Sequence, residues 1–316
     1  MKRLFTFGCS FTNYKWPTWA DIVGLEYDHY ENWGRQGSGN HFILYSLIEC
    51  ITQNNITSDD TIAIMWTTVD REDRLVNGQW HGNGSMHNAD VNKEFGDEFI
   101  NKFIDMDSYQ LTSLAVIDAV KRIVENLGCT WYAMSMHSLT KVHPYNQSTQ
   151  MYEDAESSEL FRQICSTYSK TLQSISPSFI DTVFNGNANL AKNVAIPQVI
   201  RSNLQILKDD WNATKGPSWP EFDEFVNDLT LDLPNDIRDE ICNKYEFDIN
   251  IKYILEGRVD KHPTPSEALE YLQQIKIFNL TEFQEKTALK WNELLLADVD
   301  FTFKEHRTRA NRLGNQ

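Results

Sequence analysis

Residues 61–66 (Thr61, Ile62, Ala63, Ile64, Met65, Trp66) form an apolar run with no polar alternation. A strand with one wet face alternates apolar and polar positions, so this run reads as a strand covered on both faces, as parallel sheets require. The rest of the chain supplies partners and cover. Residues 2–7, 26–33, 129–136 and 178–184 also read as strands, and helical patterns fall between them. One spans 16–24, with Pro17 in its first turn and Gly24 just past its end; another follows residue 40, with Ile43, Leu44, Leu47, Ile48 and Ile51 on one face. Two more cover 109–127, closed by Gly128, and 155–172. Strands alternating with helices imply an α/β fold with a five-stranded parallel sheet and right-handed crossovers.

The pattern changes at residues 185–247, an acidic segment bearing Trp and Pro, with helical spacing and no strand signal. It reads as an inserted helical cap between core segments 1–184 and 248–279, followed by a C-terminal helical extension over 280–316. Residues 77–92, with Gly78, Gly82, Gly84, His81 and His87, lack periodicity and read as a loop. With 316 residues, 41% of them hydrophobic, the chain can bury a sizeable core. Its net charge of −16, from 29 basic and 45 acidic residues, disfavours a nucleic-acid backbone as the main partner. No run of 18 apolar residues occurs, and the start is too short in apolar residues for a signal peptide, so a cytoplasmic chain with no membrane segment is expected. The five cysteines (Cys9, Cys50, Cys129, Cys165, Cys242) are widely spaced, and His81, His87, His137 and His143 form no helical pair, so no disulfide framework, metal or other cofactor is expected.

Three stretches bear chemistry. The first strand ends in Gly8, Cys9 and Ser10, and α/β sheets keep their sites at the carboxyl ends of parallel strands. Residues 32–40 form a glycine-rich loop with Gly34, Gly37 and Gly39, whose spacing is not that of a dinucleotide loop. Asp260 and His262 precede Thr264, Pro265 and Glu267, a capping box that places His262 just ahead of a helix. A serine on a strand-end turn, a backbone N–H loop and an Asp-x-His together meet the needs of acyl transfer. Against this stand an ordinary Gly-Cys-Ser turn and a Cys9 thiol nucleophile. Trp211, Trp219 and Phe222 either line a sugar-facing cleft or pack the cap.

Residues 8–12 (Gly-Cys-Ser-Phe-Thr), the loop Asn32-x-Gly34-x-x-Gly37-x-Gly39-Asn40 and Asp260-x-His262-Pro263 resemble, in order, the first, second and fifth blocks of the SGNH (GDSL-type) hydrolases. The resemblance runs over residues 2–275, the insertion excepted, and is to divergent phage and bacterial members. It implies a flavodoxin-like three-layer α/β/α sandwich, no metal, and an esterase that removes acetyl or another small acyl group from a glycan or related metabolite. Virion association is an alternative to a free cytoplasmic enzyme. By the same resemblance Ser10 is the nucleophile, the N–H groups of Ser10 and Gly37 line the oxyanion hole, His262 is the base and Asp260 orients it. Two features depart from the family. The acid sits two residues before the histidine, since position 259 is Val, which leaves Asp248 or Glu256 as substitutes. The third block, usually Gly-x-Asn, reads Trp66-Thr67-Thr68, so Thr67, Thr68 or Asn77 would replace the missing donor. Asn40 and Arg71 are candidates for substrate binding, Asn40 alternatively as a structural helix-start residue and Arg71 alternatively in an ion pair with Glu72 or Asp73. A catalytically quiet glycan-binding or assembly module, or a sugar O-acyltransferase, would carry the same blocks.

Overall fold

The computed structural model describes residues 1–81, 84–85, 96–141, 145–146, 151–152, 157–186, 205, 207–209, 211–213, 215, 219–228, 243–244, 262–297 and 308–309. In chain order its elements begin β1 (Arg3–Phe7), α1 (Trp19–Gly24), β2 (His29–Asn32), α2 (Asn40–Asn54) and β3 (Thr61–Trp66). The hairpin strands β4 (Arg74–Val76) and β5 (Gln79–His81) come next, then α3 (Asp97–Phe103), α4 (Met106–Leu127) and β6 (Thr130–Ser135). A short pair, β7 (Tyr145–Asn146) and β8 (Met151–Tyr152), precedes α5 (Glu159–Thr167), α6 (Ser169–Leu172) and α7 (Phe179–Phe184). The last are α8 (Trp219–Asp228), α9 (Pro265–Ile275), α10 (Glu282–Leu296) and β9 (Thr308–Arg309).

Strands β6, β3, β1 and β2 lie side by side in that order, all parallel, with Ser135 opposite Trp66, Ile64 opposite Phe7 and Thr6 opposite Asn32. Thr308 and Arg309 add two residues of parallel pairing beyond β2. Every residue of β3 is buried, as its composition requires. Phe5, Phe7, Ile62, Ile64 and Trp66 pack in one cluster with Ile43 and Leu47 of α2 and Leu114, Ile117, Val120 and Val124 of α4. Leu4, Thr6, Ala63 and Met65 face the other way by the two-residue period of a strand, and they too are fully buried. Burying each Leu, Ile or Phe of such a core contributes about 1.5–3 kcal/mol. At the amino edge, Arg3 grips Asp60 through Nε at 2.7 Å and Nη2 at 2.6 Å, and Thr57 N also donates to Asp60. This pairing holds the Asp60 carboxyl below its usual range despite the opposing effect of burial.

The chain departs from expectation in several places. Residues 178–184, read as a strand, form α7. Its Phe, Ile, Thr and Val suit a strand, but Ser178 Oγ accepts from Asp181 N at 3.1 Å and donates to Asp181 Oδ2 at 2.6 Å, a cap that starts a helix instead. The stretch 77–92, read as a loop, opens with the turn and second strand of a hairpin, in which Asn77 (φ 50°) and Gly78 (φ 77°) supply the two left-handed corners. Helix 155–172 is broken at Tyr168 into α5 and α6. Ile48, counted with the apolar face of α2, is 47% exposed. Helix α1 includes Gly24 rather than ending before it, and Tyr30 packs so closely there that a Cβ would lie 2.6 Å from its ring.

The chain divides into two compact units. One comprises Met1–Leu190, His262–Asn292 and Phe301–Gln316; the other comprises Ala191–Lys261 and Glu293–Asp300. Within 191–261 the described residues of the second unit are helical. Within it Trp211, Phe222 and Phe225 are buried against one another, with Trp211 centroids 5.5 Å and 5.2 Å from the two Phe rings, so Trp211 and Phe222 serve packing. Among the described residues no helix is long and apolar enough to cross a membrane.

Candidate functional site

Because all four main strands run the same way, the residues that follow them gather at one edge. These are 8–14 after β1, 33–40 after β2, 67–73 after β3 and 136–137 after β6. The chain passes from β1 to β2 on one side and then crosses to β3 on the other, so the carboxyl end of β1 lies at a switch point, where open α/β sheets form their crevice.

Ser10 stands there. Thr12 N and Asn13 N both donate to Cys9 O, at 3.0 and 3.1 Å, closing a tight turn immediately after β1. Ser10 is 6% exposed. Gly8 makes this path feasible, since a Cβ there would meet Thr12 Oγ1 at 2.1 Å and Met65 O at 2.9 Å. The loop after β2 is tied to the same turn: Arg35 N donates to Gly8 O at 3.0 Å, Asn13 Nδ2 to Gly34 O at 2.8 Å and Asn32 Nδ2 to Thr12 O at 2.7 Å. Gly37, at φ 74°, takes the left-handed corner of a turn closed by Ser38 N and Arg35 O at 3.3 Å. Among the described residues the N–H groups of Ser10 and Gly37 have no hydrogen-bond acceptor.

Helix α2 then begins without a capping side chain of its own. Asp73 supplies the cap from across the site, accepting from Gly39 N at 2.7 Å and Phe42 N at 2.9 Å, where the helix N-terminus favours negative charge. Burial nevertheless pushes its carboxyl above the usual range, against the lowering effect of those two N–H groups, His41 and Arg71. Burial also lowers the Arg35 guanidinium from its ordinary value.

Asn40 is 2% exposed and grips the strand end: its Oδ1 accepts from Thr67 N at 3.0 Å and its Nδ2 donates to Thr67 O at 3.4 Å. Arg71, 9% exposed, donates through Nε to Thr68 Oγ1 at 3.2 Å and through Nη1 to Ser38 O at 3.0 Å. The neighbouring carboxylates have other partners, Glu72 pairing with Arg74 at 3.0 Å and Asp73 capping α2. Asn77 stands in the exposed turn of the β4–β5 hairpin. The Cys9 thiol is fully buried with its Sγ 3.8 Å from Met136 Sδ, a packing position. His137, 3% exposed, directly follows Met136 at the same edge.

His262 reaches this edge from far along the chain. Its imidazole lies flat on the ring of Tyr14, with centroids 3.7 Å apart and planes 15° apart, and tilts against Phe11 at 5.9 Å. Trp16 Nε1 donates to Pro263 O at 2.9 Å, a buried bond between residues 247 apart in sequence. The expected capping box forms behind it, with Thr264 Oγ1 accepting from Glu267 N and Glu267 Oε2 from Thr264 N. Helix α9 is anchored in turn by Tyr271, whose hydroxyl donates to Pro177 O at 2.9 Å. Ser10 and His262 thus belong to one neighbourhood, joined through residues 11–14, although no hydrogen bond links the Ser10 hydroxyl to the imidazole. Asp260, Asp248 and Glu256 lie outside the described residues. Tyr14 and the capping role of Asp73 escaped the sequence reading; the signal for Tyr14 was the close aromatic series Phe11, Tyr14, Trp16 straight after the candidate nucleophile. No cluster of metal-ligating side chains occurs among the described residues. Compared with known proteins, the chain matches no family model and no curated sequence.

Proposed function

We propose that this chain is a serine-dependent acyl hydrolase of the SGNH type, removing acetyl or another small acyl group from a glycan or related metabolite. One observation carries the reading: His262 stacks on Tyr14, just past the turn that presents Ser10 at the switch point of a parallel sheet. The flavodoxin-like three-layer arrangement belongs to the same reading, supported by burial of both faces of β1 and β3 and by the extra pairing of Thr308–Arg309 at the β2 edge. A cytoplasmic setting fits a chain with this composition.

In the reaction, the Ser10 oxygen bonds to the acyl carbon while its proton passes to a ring nitrogen of His262. The carbonyl π pair moves onto oxygen, where the N–H groups of Ser10 and Gly37 receive the charge. Collapse expels the sugar oxygen, which takes the proton from the imidazolium, and water repeats both steps on the acyl-serine. The resemblance assigns the orienting carboxylate to Asp260, which lies outside the described residues. Thr68 is the best replacement for the absent asparagine donor: Arg71 Nε occupies one lone pair of its oxygen, leaving the hydroxyl proton to donate, whereas Thr67 is fully buried. Asn40 holds the Thr67 backbone, and Arg71, bonded to Thr68 and Ser38, is the cation assigned to an anionic substituent in this reading.

A quiet glycan-binding module is the second reading, favoured by the absent Ser10–His262 hydrogen bond and by Thr67-Thr68 in the third block. A fluorophosphonate probe separates the two. The hydrolase reading expects covalent labelling and turnover of small acetyl esters, both abolished in Ser10→Ala and His262→Ala and retained in Cys9→Ala. A wild type that neither labels nor turns over esters from neutral to mildly alkaline pH establishes the quiet module.

A further inference from the structure

We infer that Tyr14 is the positioning residue for His262, its ring face fixing the imidazole and stabilising the positive charge that develops there as Ser10 gives up its proton; this rests on the hydrolase reading above. The two rings are nearly parallel and stacked at 3.7 Å, which is van der Waals contact over their faces. Two neutral aromatic rings avoid full face-to-face stacking because their quadrupoles repel. A cation over an aromatic face is attracted instead. The arrangement therefore gains most when the imidazole carries the serine proton, the moment at which a triad needs its ring stabilised.

The stack is built to hold. Trp16, fully buried, meets Tyr14 edge-on at 4.6 Å and 84°, and the same indole donates to the carbonyl of Pro263, the residue after His262. One side chain thus fixes both the ring beneath the imidazole and the backbone that carries it. Phe11 closes another side at 5.9 Å and is itself set edge-on against Phe179 at 5.5 Å. The contacts of Phe11, Tyr14 and Trp16 come from the turn bearing Ser10 and the residues straight after it, so they tie the imidazole to the segment that carries the nucleophile.

The experiment uses the whole chain and substitutes position 14 with Phe, with a graded series of mono-, di- and trifluorinated phenylalanines, and with Leu. Fluorination drains the ring face of negative charge and leaves its shape nearly unchanged, so folding is preserved across the series. The fluorophosphonate labelling rate and kcat on a small acetyl ester should stay within about twofold in Tyr14→Phe, decline stepwise with each fluorine, and fall by about 2- to 30-fold in Tyr14→Leu with KM unchanged. Proton NMR supplies a readout that needs no turnover: the His262 ring protons, assigned by their loss in His262→Gln, should be shifted upfield in the wild type and move back in Tyr14→Leu. A labelled wild type whose rate is flat across the fluorinated series overturns the role of Tyr14 and leaves the hydrolase reading standing. Absence of the upfield shift removes the stack itself. A wild type that does not label removes the reading and this inference together.

Discussion

Gly8→Ala tests whether close approach, rather than chance, puts glycine before the candidate nucleophile. The added methyl would stand 2.1 Å from Thr12 Oγ1, 3.0 Å from Thr12 Cβ and 2.9 Å from Met65 O, and Gly8 adopts φ 157°, which L residues rarely take. The Thr12 hydroxyl is the far end of a side chain, but Met65 O belongs to β3, in the middle of the sheet, and cannot retreat without disturbing the ladder. Overpacking of this kind costs about 1–3 kcal/mol, and the backbone region adds about 1–3 kcal/mol. In a unit of this size each kcal/mol lowers Tm by about 2–4 °C. Second-site changes apportion the clash: Thr12→Ala removes the 2.1 Å contact and should restore part of the loss, while Thr12→Val keeps a group in the same place and should restore none. Urea unfolding of the three single variants and the two doubles measures this directly. A Gly8→Ala protein within about 0.5 kcal/mol of wild type, or equal rescue by Ala and Val at position 12, would refute the reasoning.

Two further perturbations probe the loops that frame Ser10. Asn40→Ala leaves the buried Thr67 N–H without its 3.0 Å acceptor and should destabilise the chain by about 1–3 kcal/mol in urea unfolding; a smaller effect would mean that the first turn of α2 does not hold the end of β3. Asp73 has a folded pKa raised above the unfolded value of about 3.9, so its contribution to stability is fully present below about pH 4 and is lost as pH rises through the folded value. In Asp73→Asn this descending limb should flatten when Tm is followed from pH 4 to 8, and parallel curves for the two proteins would count against a raised Asp73.

What could be read from sequence was what the backbone alone decides. The β3 run needs cover on both faces whatever surrounds it, and the Thr264, Pro265, Glu267 cap forms from residues three apart, so both appear in the structure where expected. The misreadings are also local, and each has a competing signal. In residues 178–184 aromatic and β-branched residues spoke for a strand while Ser178 and Asp181 spoke for a cap, and the cap prevailed because it satisfies amide groups that a strand there would have to pair elsewhere. Asn77-Gly78 is a strong hairpin signal, obscured by the glycines that follow it.

The parts of the site that were not legible are those made by side chains from distant segments. Asp73 caps a helix that begins 33 positions earlier, and nothing in the sequence near Gly39 announces where its cap comes from. His262 could be singled out as a histidine held before a helix, but its neighbour Tyr14 is chosen by how Trp16 packs and by where α9 meets the turn after β1, which is decided by tertiary packing. The consequence is an asymmetry in how such a site tolerates change. The loops beside Ser10 depend on backbone conformation at Gly8 and Gly37, so few substitutions there are silent, and the glycines mark the place in the sequence. The support of His262 depends on packed rings, which other aromatic arrangements could replace, so it leaves no motif and has to be read from the coordinates of Phe11, Tyr14, Trp16 and His262 together.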